Sequence, residues 1–169
     1  MIVIRPPRLD ELAAIMAVHR AAFGRDDEAA LVGRLRADGD DAFELLAEAD
    51  GAVVAHVAFS RLRIEHGDDG LALGLAPVAV LPAWQRRGVG STLIRHSLEA
   101  LRKQPMRAVM VLGDPGYYAR FGFTPASRAS LHDTYGGGDA FMALALHSGG
   151  LDGYRGRVDY APAFDLLTD

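Results

Sequence analysis

The segment Gln85-Arg86-Arg87-Gly88-Val89-Gly90 constrains the fold of this chain more than any other, because of what flanks it. An apolar run, Leu75 to Val80, leads in through Leu81-Pro82-Ala83-Trp84, and a helical pattern, Val89 to Leu101, leads out. The core-facing positions of that helix are Val89, Leu93, Ile94, Ser97/Leu98 and Leu101, a single stripe suited to packing on a sheet. Gln104-Pro105 ends it, and Ala108 to Leu112 reads as the next strand. Strand, helix and strand in that order predict a parallel pair joined by a right-handed crossover. The turn itself presents backbone N–H groups at the positive end of a helix, an arrangement that cradles anions, phosphate above all.

Around this unit the chain punctuates itself clearly. Ile2 to Arg5 reads as a first strand closed by Pro6-Pro7. A helix starts near Asp10, with Leu12, Ile15, Met16, His19 and Phe23 on one face and Gly24 as its stop. A second opens at Asp26-Asp27-Glu28, is carried by Leu31, Val32 and Leu35, and stops at Gly39-Asp40-Asp41. The strands Phe43 to Ala49 and Ala52 to Ile64 meet at Asp50-Gly51, a strong hairpin signal. The turn 65–70 passes the chain to the strand ending at Val80, so three successive antiparallel strands are expected. Later elements are a short helix, Pro115 to Phe121, a mobile loop at Gly136-Gly137-Gly138, and strands at Ala140 to Leu146 and Gly156 to Tyr160. With no repeat or linker, the expectation is one domain over 1–169, of mixed α/β class: a mixed sheet of about six or seven strands with helices on both faces.

Composition removes several kinds of chemistry. There are no cysteines, so disulfides, cysteine metal sites and a cysteine acyl-enzyme are all excluded. A net charge of −4 argues against a broad nucleic-acid or anionic-membrane surface. The N-terminus lacks the basic and apolar regions of a secretory signal, and the apolar stretch Leu71 to Trp84 is too short and too interrupted to span a bilayer, so a cytoplasmic protein is expected. The six histidines show no His-x-x-x-His pairing, and no metal site is expected. No serine sits in a Gly-x-Ser-x-Gly elbow.

The turn suits pyrophosphate for a steric reason. Gly88 and Gly90 lack Cβ atoms, so ligand oxygens can approach the backbone N–H groups running from Arg86 to Ser91. Arg86 and Arg87 supply charge for phosphate oxygens. A dinucleotide fingerprint fails, since its third glycine falls on Leu93, and a phosphate-binding loop of the Gly-Lys-Ser/Thr kind is absent. Pro77 removes a ladder donor from the approach strand and marks an edge or a bulge, or a simple strand start.

With the aromatic cluster Tyr117-Tyr118-Ala119-Arg120-Phe121-Gly122-Phe123, the turn resembles the acetyl-CoA site of the GCN5-related N-acetyltransferases (GNAT). The stretch Leu73 to Phe123, and the tail Val158 to Phe164, are similar to the YhbS-like branch of predicted acetyltransferases. The resemblance implies a GNAT fold whose cradle strand bulges away from its parallel neighbour and admits the pantetheine arm at Val78, Ala79 and Val80. It implies pyrophosphate contacts at Gln85, Arg86, Arg87, Gly88, Val89, Gly90 and Ser91, with coenzyme A as cosubstrate and no metal. Tyr118, in Tyr-x-x-x-Gly-Phe, takes the place of the family's general acid, and a backbone N–H near Val80 that of the oxyanion donor.

Two departures stand out. Some relatives carry a glutamate base on the strand entering the cradle, whereas Leu73-Gly74-Leu75-Ala76 offers none, so a water chain or an already neutral amine is required. Where many carry an asparagine after the following strand, this chain has Gly113-Asp114. His56 reads first as a satisfied structural residue and second as a base. Tyr117, Phe121 and Phe123 read as core aromatics. The expected activity is direct acetyl transfer from acetyl-CoA to an amine on a small molecule or protein; the alternative is a non-catalytic acyl-CoA-binding module. The first two helices and the 127–139 loop are expected to line the acceptor side. No membrane or nucleic-acid partner is expected, and a homodimer stays open because the sequence carries no signal of oligomeric state.

Overall fold

A computed structural model describes residues 1–167. In chain order the elements are β1 (Ile2–Arg5), α1 (Leu12–Phe23), α2 (Asp27–Asp38), β2 (Asp41–Ala49), β3 (Ala52–Arg61), β4 (Arg63–His66) and β5 (Ala72–Val80). There follow α3 (Val89–Arg102), β6 (Ala108–Leu112), α4 (Pro115–Tyr118), β7 (Thr124–Pro125), β8 (Leu131–His132), β9 (Phe141–Ala145) and β10 (Arg155–Asp159). Seven strands form a mixed sheet in the order β1-β2-β3-β5-β6-β9-β7, and three more form a second sheet, β4-β10-β8. The chain falls into two compact units, one built from Met1–Ser60, Ala76–Glu99 and the segment from Pro162, the other from Arg61–Leu75 and Ala100–Ala161.

In the first unit β1 runs antiparallel to β2, from Ile2 opposite Ala49 to Arg5 opposite Leu46. β2 folds back antiparallel on β3 through Asp50 (φ 52°) and Gly51 (φ 80°), the left-handed pair that a tight hairpin with a primed turn needs. Leu46 packs against Ile15 of α1 and Val32 of α2. The stripe of α3 is buried as its spacing predicts: Leu93, Ile94, Ser97 and Leu101 are fully inaccessible, and the Ser97 hydroxyl is satisfied by the Leu93 carbonyl at 2.8 Å. Each such leucine contributes about 1.5–3 kcal/mol by leaving water.

In the second unit β5 and β6 are parallel, with Ala72, Leu73 and Gly74 opposite Ala108, Val109 and Met110. β6 pairs antiparallel with β9, which pairs with β7. Met110, Phe141, Leu62, Tyr154 and Val158 fill its core.

Two expectations need correction. The long strand from Ala52 to Ile64 is two strands: buried Leu62 donates its N–H to the Ala72 carbonyl at 3.1 Å, and β4 leaves to pair with β10. The predicted helix from Pro115 to Phe121 is α-helical only to Tyr118 and tightens to a 3-10 turn over Ala119–Phe121. In the glycine loop the expectation gains a detail only, for the Gly137 N–H donates to the Asp133 carboxylate at 3.1 and 3.2 Å.

A polar network lies inside the first unit. His19 Nε2 is 2.9 Å from His56 Nδ1, and His56 Nε2 is 2.7 Å from Glu44 Oε1. Arg36 grips Glu44 with both ends of its guanidinium, at 2.7 and 2.9 Å. Both imidazoles are inaccessible to solvent. Burial, then the neighbouring His56, pushes the His19 pKa down to about 3 against the pull of Glu44; burial also pushes His56 down. Burial alone would raise Glu44, but its bonds to His56 and Arg36 outweigh that and hold it at about 2.

These shifts carry a sign for stability. Below the ordinary histidine value the unfolded chain takes up protons that folded His19 and His56 refuse, so stability present above pH ~6.5 drains as the pH falls. Glu44 adds to the loss in more acid solution, while Asp41, raised by burial and by its bond to Glu44, works in the opposite sense. Urea unfolding followed by circular dichroism should give a free energy that falls from pH ~6.5 to ~4.5, by up to ~1.4 kcal/mol per pH unit for each buried histidine. A flat profile over that window would show that the imidazoles are charged in the folded protein.

Candidate functional site

The turn between β5 and α3 is built by short-range bonds. The Leu81 N–H donates to the Val54 carbonyl of β3 at 2.8 Å, which seats the end of β5. Pro82–Trp84 makes one 3-10 turn, closed by the Trp84 N–H on the Leu81 carbonyl at 2.8 Å. The Gln85 side-chain amide then reaches back to the Val80 carbonyl at 3.0 Å and locks turn to strand. Beyond it, Arg86 (φ 63°) and Gly88 (φ 78°) are both left-handed. Gly88 adopts that geometry freely, whereas Arg86 carries a Cβ and pays a cost of order 1 kcal/mol. Left-handed residues interrupt the regular backbone here, and alternation of right- and left-handed residues is how anion nests are built.

The helix head completes the cradle. The Thr92 N–H donates to the Gly88 carbonyl at 3.0 Å, so the amides of Val89 and Gly90 come before the helical ladder. The Val89 side chain is buried, which leaves its backbone as the part available to a ligand. A Cβ on Gly88 would meet no protein atom within 4 Å, so the space beside it is open. Arg86 and Arg87 are exposed, and the Arg87 guanidinium lies 5.1 Å over the Trp84 ring, which holds that charge at the turn. Val78 and Val80 are half-buried, Ala79 is buried and Ser91 half-buried. All ten residues that the sequence points to, Val78 to Val80 and Gln85 to Ser91, fall in the first unit. Exposed backbone, two arginines and the head of a long helix are the features that an anion site uses.

Tyr118 belongs to the second unit. Asp114 caps its short helix by accepting the Gly116 N–H at 3.0 Å, with Pro115 in the first turn. The Tyr118 ring meets Tyr117 and Phe123 edge-on, at 5.0 and 5.8 Å between centroids. It also lies directly on the backbone at Gly113, where a Cβ would stand 2.5 Å from the ring. Gly113-Asp114, the departure from the asparagine of many relatives, therefore has a local function here: a seat for the tyrosine and a cap for its helix. Burial, with a smaller push from Tyr117, raises the phenol to about 12, so it stays protonated through the neutral range. Tyr117 is half-buried, with the Arg120 guanidinium 4.4 Å over its ring, and Phe123 is core.

His56 is the satisfied histidine, bonded on both ring nitrogens. Sequence reasoning missed two features of the turn. The left-handed Arg86 has no signature, because arginine is not a turn residue, and the Gln85 side chain serves the turn itself.

Comparison with known proteins gives these features a setting. The family model for the acetyltransferase (GNAT) domain matches residues 3–126. The chain is 37% identical over 153 residues to YhbS of Escherichia coli K12, described as an uncharacterized N-acetyltransferase, covering 89% of this chain and 91% of that one. The crystal structure of E. coli YhbS in complex with CoA superposes with a TM-score of 0.92 at 35% identity, over 97% of this chain and 92% of that one. A GNAT family acetyltransferase from Brucella melitensis in complex with acetyl-CoA gives 0.82 at 38% identity, over 98% and 99%. Family model, kinship and fold agree, and the chain belongs to the GNAT family of acetyltransferases.

Proposed function

We propose that this chain is an acetyl-CoA-dependent N-acetyltransferase that moves the acetyl group directly to an amine, with Tyr118 as general acid. The observation that carries the reading is the exposed turn with left-handed Arg86 and Gly88 immediately before the head of α3. The CoA and acetyl-CoA complexes of the two similar proteins support it. The family match runs through both compact units, which supports treating the chain as one acetyltransferase domain.

Acetyl-CoA, when bound, supplies an acetyl group activated as a thioester. The amides from Arg86 to Ser91 hold the diphosphate, Arg86 and Arg87 neutralise phosphate charge, and Val78 to Val80 offer strand amides to the pantetheine arm. A Val80 N–H donates to the carbonyl oxygen as negative charge grows on it. Tyr118 donates its phenolic proton to the departing sulfur, a role suited to a group that burial keeps neutral. The amine loses its proton to water or arrives neutral, since Leu73 to Ala76 hold no carboxylate. The acceptor is a small molecule or a protein amine. No helix among the described residues is long and apolar enough to cross a membrane, and we place the activity in the cytoplasm.

Tyr118→Phe should keep acetyl-CoA affinity and lower thiol release in the presence of an amine panel by ~10²-fold, the scale of a lost proton donor. Turnover within about threefold of the parent would reject Tyr118 as the acid. Gly88→Val forces a branched residue into a left-handed turn and a side chain into the open cradle. Calorimetry should show acetyl-CoA binding weakened by ~10-fold or more in a variant with parental circular dichroism. Unchanged affinity would refute the cradle.

A further inference from the structure

The parallel pair of the second unit comes apart early. Its register runs from Ala72 opposite Ala108 to Gly74 opposite Met110, while β5 continues to Val80 and β6 to Leu112. Among the described residues no pairing joins the two strands beyond Gly74, and Pro77 has no N–H to offer one. The far end of β5 is held from its other side, by the bond between Leu81 and Val54 of β3. Gly74 therefore marks the inner end of a fork between β5 and β6.

One side chain stands at that point and reaches both strands. A Cβ on Gly74 would lie 3.3 Å from Tyr160 Cε1 and 2.9 Å from Leu62 Cδ2, so the Tyr160 ring rests on the backbone of β5. The Tyr160 oxygen, at the end of that ring, comes close to the backbone of Leu112 in β6. Phe141 of β9, opposite Leu112 in the ladder, meets the ring at 6.4 Å between centroids, and Tyr135 meets it at 5.9 Å. Between two strands and two rings, Tyr160 is a wall with little room to swing. Its hydroxyl is inaccessible although the residue is only half-buried, so the surface left open is not the hydroxyl. Burial, then Asp133, Tyr135 and Tyr118, push the phenol up and keep it neutral; the influence of Tyr118 also marks the two phenols as neighbours.

Direction along β5 gives this wall a use. A cofactor held at the turn before α3, with its arm laid on Val80 and then Val78, points back along the strand toward Gly74. Its sulfur stands at Tyr118, and an acyl chain that extends further meets the closed end of the fork. We infer that Tyr160 is the gauge of acyl length: its ring shuts the inner end of the fork between β5 and β6, so that an acetyl thioester fits and a longer acyl thioester does not. This rests on the acetyl-CoA reading for where the thioester lies; the ring at the fork does not.

Calorimetry on the full-length chain, with CoA, acetyl-CoA, butyryl-CoA and hexanoyl-CoA as separate titrants, tests it. The parent should bind acetyl-CoA at least ~10-fold more tightly than hexanoyl-CoA, the scale on which a filled pocket refuses extra methylenes. Tyr160→Ala should bring those two within about threefold and leave CoA itself unchanged, a split that a general loss of packing would not produce. Tyr160→Phe keeps the ring and should keep the parental ratio. Tyr160→Leu preserves more of the packing and should relax the ratio in the same direction as alanine, which covers an alanine variant that fails to fold. A parent that binds all three thioesters equally overturns the inference. So does an alanine or leucine variant with the parental ratio, or a phenylalanine variant that loses it. A parent that binds neither CoA nor acetyl-CoA refutes the acetyl-CoA reading itself, and the gauge with it.

Discussion

The hydrogen bond from the Gln85 side chain to the Val80 carbonyl ties the end of β5 to the turn that begins α3. Everything proposed for the cofactor depends on that tie. It joins the end of the strand to the turn in which the two left-handed residues, Arg86 and Gly88, follow. The stripe of α3 buries Leu93, Ile94 and Leu101 and holds the helix head in place behind them. An anion site gains from a backbone that need not reorganise, and the bonds of this turn supply that rigidity to the proposed cradle.

Tyr118 is prepared by a different device. Its ring rests on a backbone position where no side chain fits, Gly113, and its helix is started by the next residue, Asp114. Two neighbouring positions thus settle both where the phenol sits and how it is oriented. Its environment is aromatic, and removing it from water favours the neutral form. A group meant to give a proton benefits from that, while a base would be weakened by it. The histidine pair shows the same principle on two bases, since burial there favours the uncharged imidazoles.

Much of this was legible from residue order because it is local. The period of α3, the Asp-Gly hairpin and the stop glycines after α1 and α2 all depend on neighbours within a few positions. The parallel pair β5 and β6 followed from strand, helix and strand in succession. The break between β3 and β4 did not, because the apolar pattern continues through Leu62 and the partner that draws β4 away, β10, is distant in the chain. The second sheet was missed for the same reason, with β8 only two residues long. At the candidate site, the sequence pointed to residues through glycines and aromatics. Their number did not reveal that an arginine takes a left-handed backbone or that a glutamine side chain closes the turn.

His19 and His56 make the boundary plainest. In the sequence they are isolated histidines, one on a helical face and one in a strand, and Glu44 is a charge in an otherwise apolar run. Residue order by itself determined the helix-and-sheet class, the glycine-bearing turn before α3 and the short helix that carries Tyr118, since each rests on local spacing and backbone sterics. Only the tertiary structure decided that two buried imidazoles meet a half-buried carboxylate and guanidinium in one line, because the energy of such contacts depends on distances of about 3 Å that packing, and not chain order, sets.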